Sequence, residues 1–232
     1  MCKWNARATV AIPGQRISAR LPSRRYRRNV TEAAHWDDVY RTRANDSLSW
    51  FQQSADTSLA LITSVADPAE ISIIDVGAGT SPLAGALLTA GCTDLTLIDL
   101  SKTALTTTSA RLNEPASVTT VVGDITEWDP GRTFDLWHDR AVFHFLSGPG
   151  RDRYVATAER SISTGGHLVI GTFADDGPTR CSDRDVARYS PEQLAAVFAR
   201  GFEMVSARDE HHLTPKDIDQ HFTWVVLRRR DA

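Results

Sequence analysis

From residue 71 to the C-terminus, short apolar runs alternate with helix-patterned segments, and this order leaves few folds open. Residues 71–75, 95–98, 118–122, 134–137 and 168–173 read as strands. A helix fits 82–90, with Ser81 as N-cap, Pro82 at its first position and Gly91 just past its end. A Thr-rich helix fits 101–112, and Tyr154, Val155, Ala158 and Ile162 form a third helical stripe. Ser190 and Gln193 make a capping box that opens a helix closed by Gly201. Strands joined by helices need right-handed parallel crossovers, so the expected fold is α/β: a doubly wound, Rossmann-like sheet, mostly parallel. Residues 202–207 and 222–227 lack a helix between them and pair more easily antiparallel. That gives seven strands with an antiparallel last one.

The N-terminal part has another texture. Ala33, Trp36 and Tyr40 predict a helix over 32–41, Leu48, Trp50 and Phe51 an aromatic cluster, and Leu59, Ile62 and Val65 a helix ending near Asp67. Residues 31–68 therefore read as a helical lid on a ligand-binding domain spanning 69–232. Residues 1–30 hold eight basic groups and no acid, interrupted by Pro13, Gly14 and Pro22. They suit a disordered tail; a transit peptide, a nucleic-acid-binding arm and an extension upstream of the true start share that composition. The rest carries 18 basic and 29 acidic groups, net −11. That field tolerates a basic partner such as lysine and repels a polyanion, so nucleic acid is not an expected partner. No apolar run is long enough to span a membrane. Three scattered cysteines (Cys2, Cys92, Cys181) suggest a reduced, cytoplasmic setting.

Four strand ends carry chemistry. The first is Asp75-Val76-Gly77-Ala78-Gly79, where a strand enters a helix. Glycines there let the chain turn and let a ligand approach main-chain N–H groups. A dinucleotide fingerprint wants a third glycine where Pro82 stands, and the acid at 75 suits a ligand amine instead. The second is Asp99, twenty residues past Gly79, placed to accept from ribose hydroxyls. The third is Asp124-Ile125, a carboxylate for an adenine amine and an apolar face for its ring. The fourth is His138-Asp139-Arg140, followed by Phe143 and His144, expected to face the cleft beyond the strands.

Together these ends resemble the class I S-adenosylmethionine-dependent methyltransferases, over about residues 31–230. The resemblance implies S-adenosylmethionine as cofactor, with Asp75, Gly77, Ala78 and Gly79 at its methionine part. Asp99 with Leu100 would meet the ribose, Asp124 with Ile125 the adenine, and His138 and Arg140 would lie beside it. Ser81 falls on the third small position of the loop, a departure from the pattern. A narrower likeness rests on His35-Trp36 to Tyr40, Leu48 to Gln52, residues 137–145 and Phe222-Thr223-Trp224. It points to small methyltransferases that include protein-lysine enzymes acting on citrate synthase and on an elongation factor.

An amine acceptor must arrive neutral, against a free lysine pKa of about 10.4. Asp139 and His144 are the candidate catalytic groups, His144 as a base and Asp139 as a base or an orienting charge. Trp50, Phe51 and Phe143 are candidate acceptor contacts; Trp50 and Phe51 could equally pack on the sheet. Arg140 could hold the cofactor's carboxylate or pair with Asp75. The turn-rich stretch from Phe173 to Tyr189 reads as an acceptor lid. His211-His212 has no ligand partner at metal spacing, so no metal is expected. The acceptor is a protein lysine, or a small thiol or metabolite. A nicotinamide oxidoreductase is disfavoured by Pro82 and by the lack of a Tyr-x-x-x-Lys pair, and a binding module without catalysis is the remaining alternative.

Overall fold

The computed structural model describes residues 24–231, with side chains from Glu32 onward. A long helix α1 (Arg24–Thr42) and a short α2 (Asp56–Thr63) precede the sheet. There follow β1 (Ser72–Val76), α3 (Leu83–Thr89), β2 (Asp94–Asp99), α4 (Lys102–Leu112), β3 (Val118–Val122) and β4 (Phe134–Arg140). Then come α5 (Pro149–Ser161), β5 (Ile162–Phe173), the two-residue strands β6 (Arg180–Cys181) and β7 (Arg184–Asp185), α6 (Pro191–Phe198), β8 (Phe202–Leu213) and β9 (Asp219–Arg229).

Seven strands form one sheet in the order β3-β2-β1-β4-β5-β9-β8. The first five are parallel, and β9 runs antiparallel to both β5 and β8. This is the expected doubly wound, Rossmann-like sheet with an antiparallel β9. The order reverses between β1 and β4, which opens a crevice beyond the strand ends.

Alternate strand residues feed two apolar layers. Ile73, Leu95, Leu97, Leu136 and Val169 pack against Ile62, Leu83 and Leu87 on one face. Ile74, Ile98, Trp137, Leu168 and Ile170 pack against Tyr154 and Phe198 on the other. Each such side chain, fully buried, contributes roughly 1.5–3 kcal/mol, so the strand ends rest on a firm base.

Several boundaries differ from those read off the sequence. Helix α1 begins at Arg24, inside the segment expected to be a tail; the rest of that tail lies outside the described residues. Strand β5 starts at Ile162, because Gly165 and Gly166 form a bulge rather than a turn. A Cβ on Gly166 would lie 2.7 Å from the Asp135 carbonyl, so β4 passes too close for any side chain. Strand β4 runs on to Arg140, three residues beyond its expected end. Helix α3 starts at Leu83, with Pro82 as its N-cap residue and the Ser81 hydroxyl accepting from the Leu83 amide at 3.2 Å.

Candidate functional site

A cavity of about 1230 Å³ lies over the ends of β1, β2, β3 and β4. Asp75, Gly77, Ala78, Gly79, Asp99, Leu100, Asp124, Ile125, His138 and Arg140 all line it, as do Trp50 and Phe51. Asp139, Phe143 and His144 do not.

Asp75 is buried near the end of β1, and its Oδ1 meets His138 Nδ1 at 2.7 Å. His138 Nε2 lies 3.0 Å from the Ser58 hydroxyl, which holds the imidazole on α2. The other carboxylate oxygen, Oδ2, is buried without a hydrogen-bond partner. An acceptor in that condition calls for a donor such as an ammonium group.

Gly77 and Gly79 both adopt positive φ, at +65° and +49°. A Cβ on Gly77 would strike the Val142 side chain, and one on Gly79 the Tyr40 hydroxyl. The loop's N–H groups, expected to face a ligand, are engaged within the protein. Those of Gly77 and Ala78 donate to the Ile98 carbonyl, at 2.8 and 3.2 Å, and that of Gly79 to Asp99 Oδ2 at 2.9 Å. The glycines therefore supply the positive φ and the close approach of Val142 and Tyr40, rather than donors.

Asp99 Oδ1 accepts from the Ser101 amide at 2.7 Å. Each carboxylate oxygen thus takes one backbone donor and keeps a lone pair for one further donor, the arrangement a vicinal diol would use. Burial pushes this carboxyl up to about 6, against the pull of the Ser101 and Gly79 amides. Asp124 Oδ1 accepts from the Thr126 amide at 2.8 Å in a turn, and Ile125 beside it is buried.

The end of β4 obeys strand parity. His138 and Arg140 share the face of Asp75, and Asp139 points the other way. Its carboxylate accepts from the Val142 and Phe143 amides at 2.9 and 3.1 Å and from the Tyr154 hydroxyl at 2.5 Å. Burial pushes Asp139 up to about 6 despite these donors. It braces the turn after β4, where Ala141 takes φ +70°. Phe143 is buried against Tyr154, Tyr189 and Phe198. His144 is buried between Phe145 and Phe173, its ring nitrogens both unpartnered. Burial, helped by the charge of Arg140, drives it down to about 3. A neutral, enclosed imidazole of that kind is no base for a cavity ligand. The expected roles of Asp139, Phe143 and His144 are corrected accordingly.

Arg140 does not pair with Asp75. Its Nη1 donates to the Trp50 carbonyl at 3.2 Å, and its guanidinium carbon lies 4.6 Å from the centroid of the Phe222 ring.

The remaining walls come from α1 and from the loop after β5, which bears β6 and β7. Asp37 caps α4, accepting from the Ser101 hydroxyl at 2.7 Å and the Thr103 amide at 2.9 Å. This anchors α1 so that Glu32, Trp36 and Tyr40, spaced one turn apart, face the cavity. Trp50 donates its indole N–H to the Tyr40 hydroxyl at 3.2 Å, and Trp36 packs edge-on against Trp50 and Phe145. Arg184, on the loop, meets Glu32 at 2.8 Å and ties the two walls together. Trp36, Tyr40 and Phe145 were not singled out as site residues from sequence. The i, i+4, i+8 spacing of Glu32, Trp36 and Tyr40 was the available signal. His211 and His212, by contrast, bond to Asp219 and to the Ser49 carbonyl.

Residues 73–166 match the methyltransferase domain family model. That stretch holds every strand end just described, and S-adenosylmethionine is the cofactor such a domain uses. Its chemistry fits this site, because the unpartnered Asp75 Oδ2 calls for a donor such as an ammonium and the Asp99 carboxylate has room for a diol. The chain is similar to nodulation protein S of Rhizobium tropici, with 34% identity over 85 residues. That match spans 36% of each chain, so about a third of the curated relative's length is represented. Among solved structures, it resembles the N-methyltransferase NodS of Bradyrhizobium japonicum in complex with S-adenosylhomocysteine. The TM-score is 0.67 at 16% identity, covering 85% of this chain and 99% of that one. The 1,6-didemethyltoxoflavin N1-methyltransferase of Burkholderia thailandensis has a TM-score of 0.65 at 20% identity, over 97% and 94% of the two chains. These two likenesses are likenesses of fold. Among the described residues no helix is long and apolar enough to cross a membrane.

Proposed function

We propose that this protein is an S-adenosylmethionine-dependent methyltransferase whose acceptor is a small molecule. One observation carries the reading: carboxylates at or just beyond the ends of three adjacent strands, Asp75, Asp99 and Asp124, line a single cavity. In this reading Asp75 Oδ2 takes the cofactor's ammonium, Asp99 its ribose hydroxyls and Asp124 its adenine amine, with Ile125 against the ring. Gly77 and Gly79 let Val142 and Tyr40 close directly onto the loop that would border the methionine chain. The cofactor supplies an electrophilic methyl group on a sulfonium. The protein's share is to align the acceptor and exclude water.

The cavity also has room for an acceptor, since sites for one small ligand run to about 300–1,000 Å³. Trp36, Trp50 and Phe145 would form its apolar walls, and the Glu32–Arg184 pair would close it. With Asp139 and His144 turned away, the acceptor is best pictured as a nucleophile already neutral at working pH, such as a weakly basic nitrogen. The similar 1,6-didemethyltoxoflavin N1-methyltransferase, named for a small acceptor, supports this reading, whereas a protein lysine would have to enter between α1 and the β6–β7 loop.

Titration with S-adenosylhomocysteine and, separately, with NADH tests the cofactor. Tight binding of the first and none of the second is expected; the reverse would sink the reading. Incubation with methyl-labelled cofactor and size-separated lysate tests the acceptor. Label in the small-molecule fraction is expected, and label confined to a protein band would refute a small acceptor.

A further inference from the structure

Arg140 is a cation inside the cavity that lacks an anion. Its Nε and Nη2 are buried and unpartnered, while Nη1 holds only the Trp50 carbonyl. The acid whose charge acts on it is Glu210, and both oxygens of Glu210 are engaged, by Gln52 Nε2 at 3.3 Å and Trp224 Nε1 at 2.8 Å. A desolvated charge without a counter-ion is costly, and the cost falls away when one arrives. Two open N–H groups on a planar fork match a carboxylate.

The cofactor's own carboxylate is the obvious source, yet the topology argues otherwise. Arg140 leaves β4 one step past the Val76–Asp139 pair and reaches over Phe222 on β9. In the sheet β9 lies three strand spacings from β1, about 14 Å. The proposed ammonium acceptor, Asp75, is on β1, and an α-carboxylate shares its carbon with that ammonium. The guanidinium instead holds the Trp50 carbonyl and acts by its charge on the Cys181 thiol, both of them cavity-lining residues.

We propose that Arg140 anchors a carboxylate, or a similar planar oxyanion, on the methyl acceptor, so that the substrates are acid-bearing small molecules with a flat apolar body. This inference rests on the methyltransferase reading.

Calorimetry with four probes tests it: S-adenosylhomocysteine, 5′-methylthioadenosine, and then benzoate and benzamide added to the homocysteine-saturated protein. Benzoate is expected to bind at least roughly tenfold tighter than benzamide, the scale of one charge-assisted hydrogen bond. In Arg140→Met that preference should vanish while S-adenosylhomocysteine affinity holds. Arg140→Lys, which keeps the charge and loses the fork, should retain part of the preference and serves if the Met variant fails to fold. Benzoate binding no tighter than benzamide, including no measurable binding of either, overturns the proposal. So does a tenfold loss of S-adenosylhomocysteine affinity in Arg140→Met with methylthioadenosine affinity unchanged, because the guanidinium then serves the cofactor's carboxylate. Failure of the wild-type protein to bind S-adenosylhomocysteine at all would instead sink the underlying reading.

Discussion

Acid should loosen the cofactor through Asp99. In the free protein burial pushes this carboxyl up to about 6, the nearby charges of Asp75 and Asp37 adding to the effect of burial. To receive two hydroxyl protons it must be ionised, since a protonated carboxyl presents a donor where an acceptor is needed. Affinity for S-adenosylhomocysteine should therefore be flat above neutrality and fall on the acid side. One pH unit below the pKa, about one molecule in eleven is ionised, and binding weakens by about 1.4 kcal/mol. Stability moves the other way. A carboxyl whose folded pKa is raised contributes stability that is complete below its unfolded value, near 3.8, and is lost as pH rises through about 6. Over that window acid weakens binding while this group favours the fold. Calorimetric titrations across the range, for wild type and Asp99→Asn, separate the two. Asp139 is also pushed up to about 6 but lies outside the cavity, so the Asn variant should bind weakly with a flat profile. A flat wild-type profile, or an acid slope that survives in Asp99→Asn, would refute the assignment.

Gly79→Ala should cost about 1–2 kcal/mol from its positive φ, and more because the new methyl meets the Tyr40 hydroxyl. Thermal melts read the stability loss, and S-adenosylhomocysteine binding should drop with it; a variant as stable as wild type would show that the loop is not held as described. Tyr154→Phe removes the donor to Asp139 and the acceptor of the Trp137 indole at 2.9 Å. Denaturant unfolding should reveal a loss of roughly 1–3 kcal/mol, with cofactor affinity unchanged below the melting range. His144→Phe removes two unpartnered buried nitrogens and should be neutral or stabilise the fold by up to about 1 kcal/mol. Turnover in that variant should hold within about twofold, and a hundredfold loss would restore His144 as a base.

The strand-end carboxylates were legible because each closes an apolar run, and a sheet edge converts such positions into a shared cleft. Parity was harder. Trp137 looked like the last residue of β4, so all of His138, Asp139 and Arg140 were expected to face one way. Three more paired residues, His138 with Val169, Asp139 with Ile170 and Arg140 with Gly171, turn Asp139 over. No local pattern marks that extension, since charged residues at a strand's end resemble a loop. The start of β5, expected at 168, was hidden for a related reason: two glycines, Gly165 and Gly166, signal a turn or a bulge equally, and only the neighbouring Asp135 carbonyl decides. The role of α1 depended on a contact 64 residues away, between Asp37 and Ser101, which pattern reading along the chain does not reveal.

Asp37 also has a consequence for how such a protein can change over time. It fixes α1 to α4 by hydrogen bonds that, against the cost of partial burial, hold its carboxyl below the ordinary range. Of the walls proposed for the acceptor, Trp36, Trp50 and the β6–β7 loop belong to segments outside residues 73–166, whereas Phe145 and Arg140 lie inside them. On the proposed reading, grafting a different α1 or loop, with the Asp37 clasp retained, would change two of the walls offered to an acceptor while leaving the strand-end carboxylates in place.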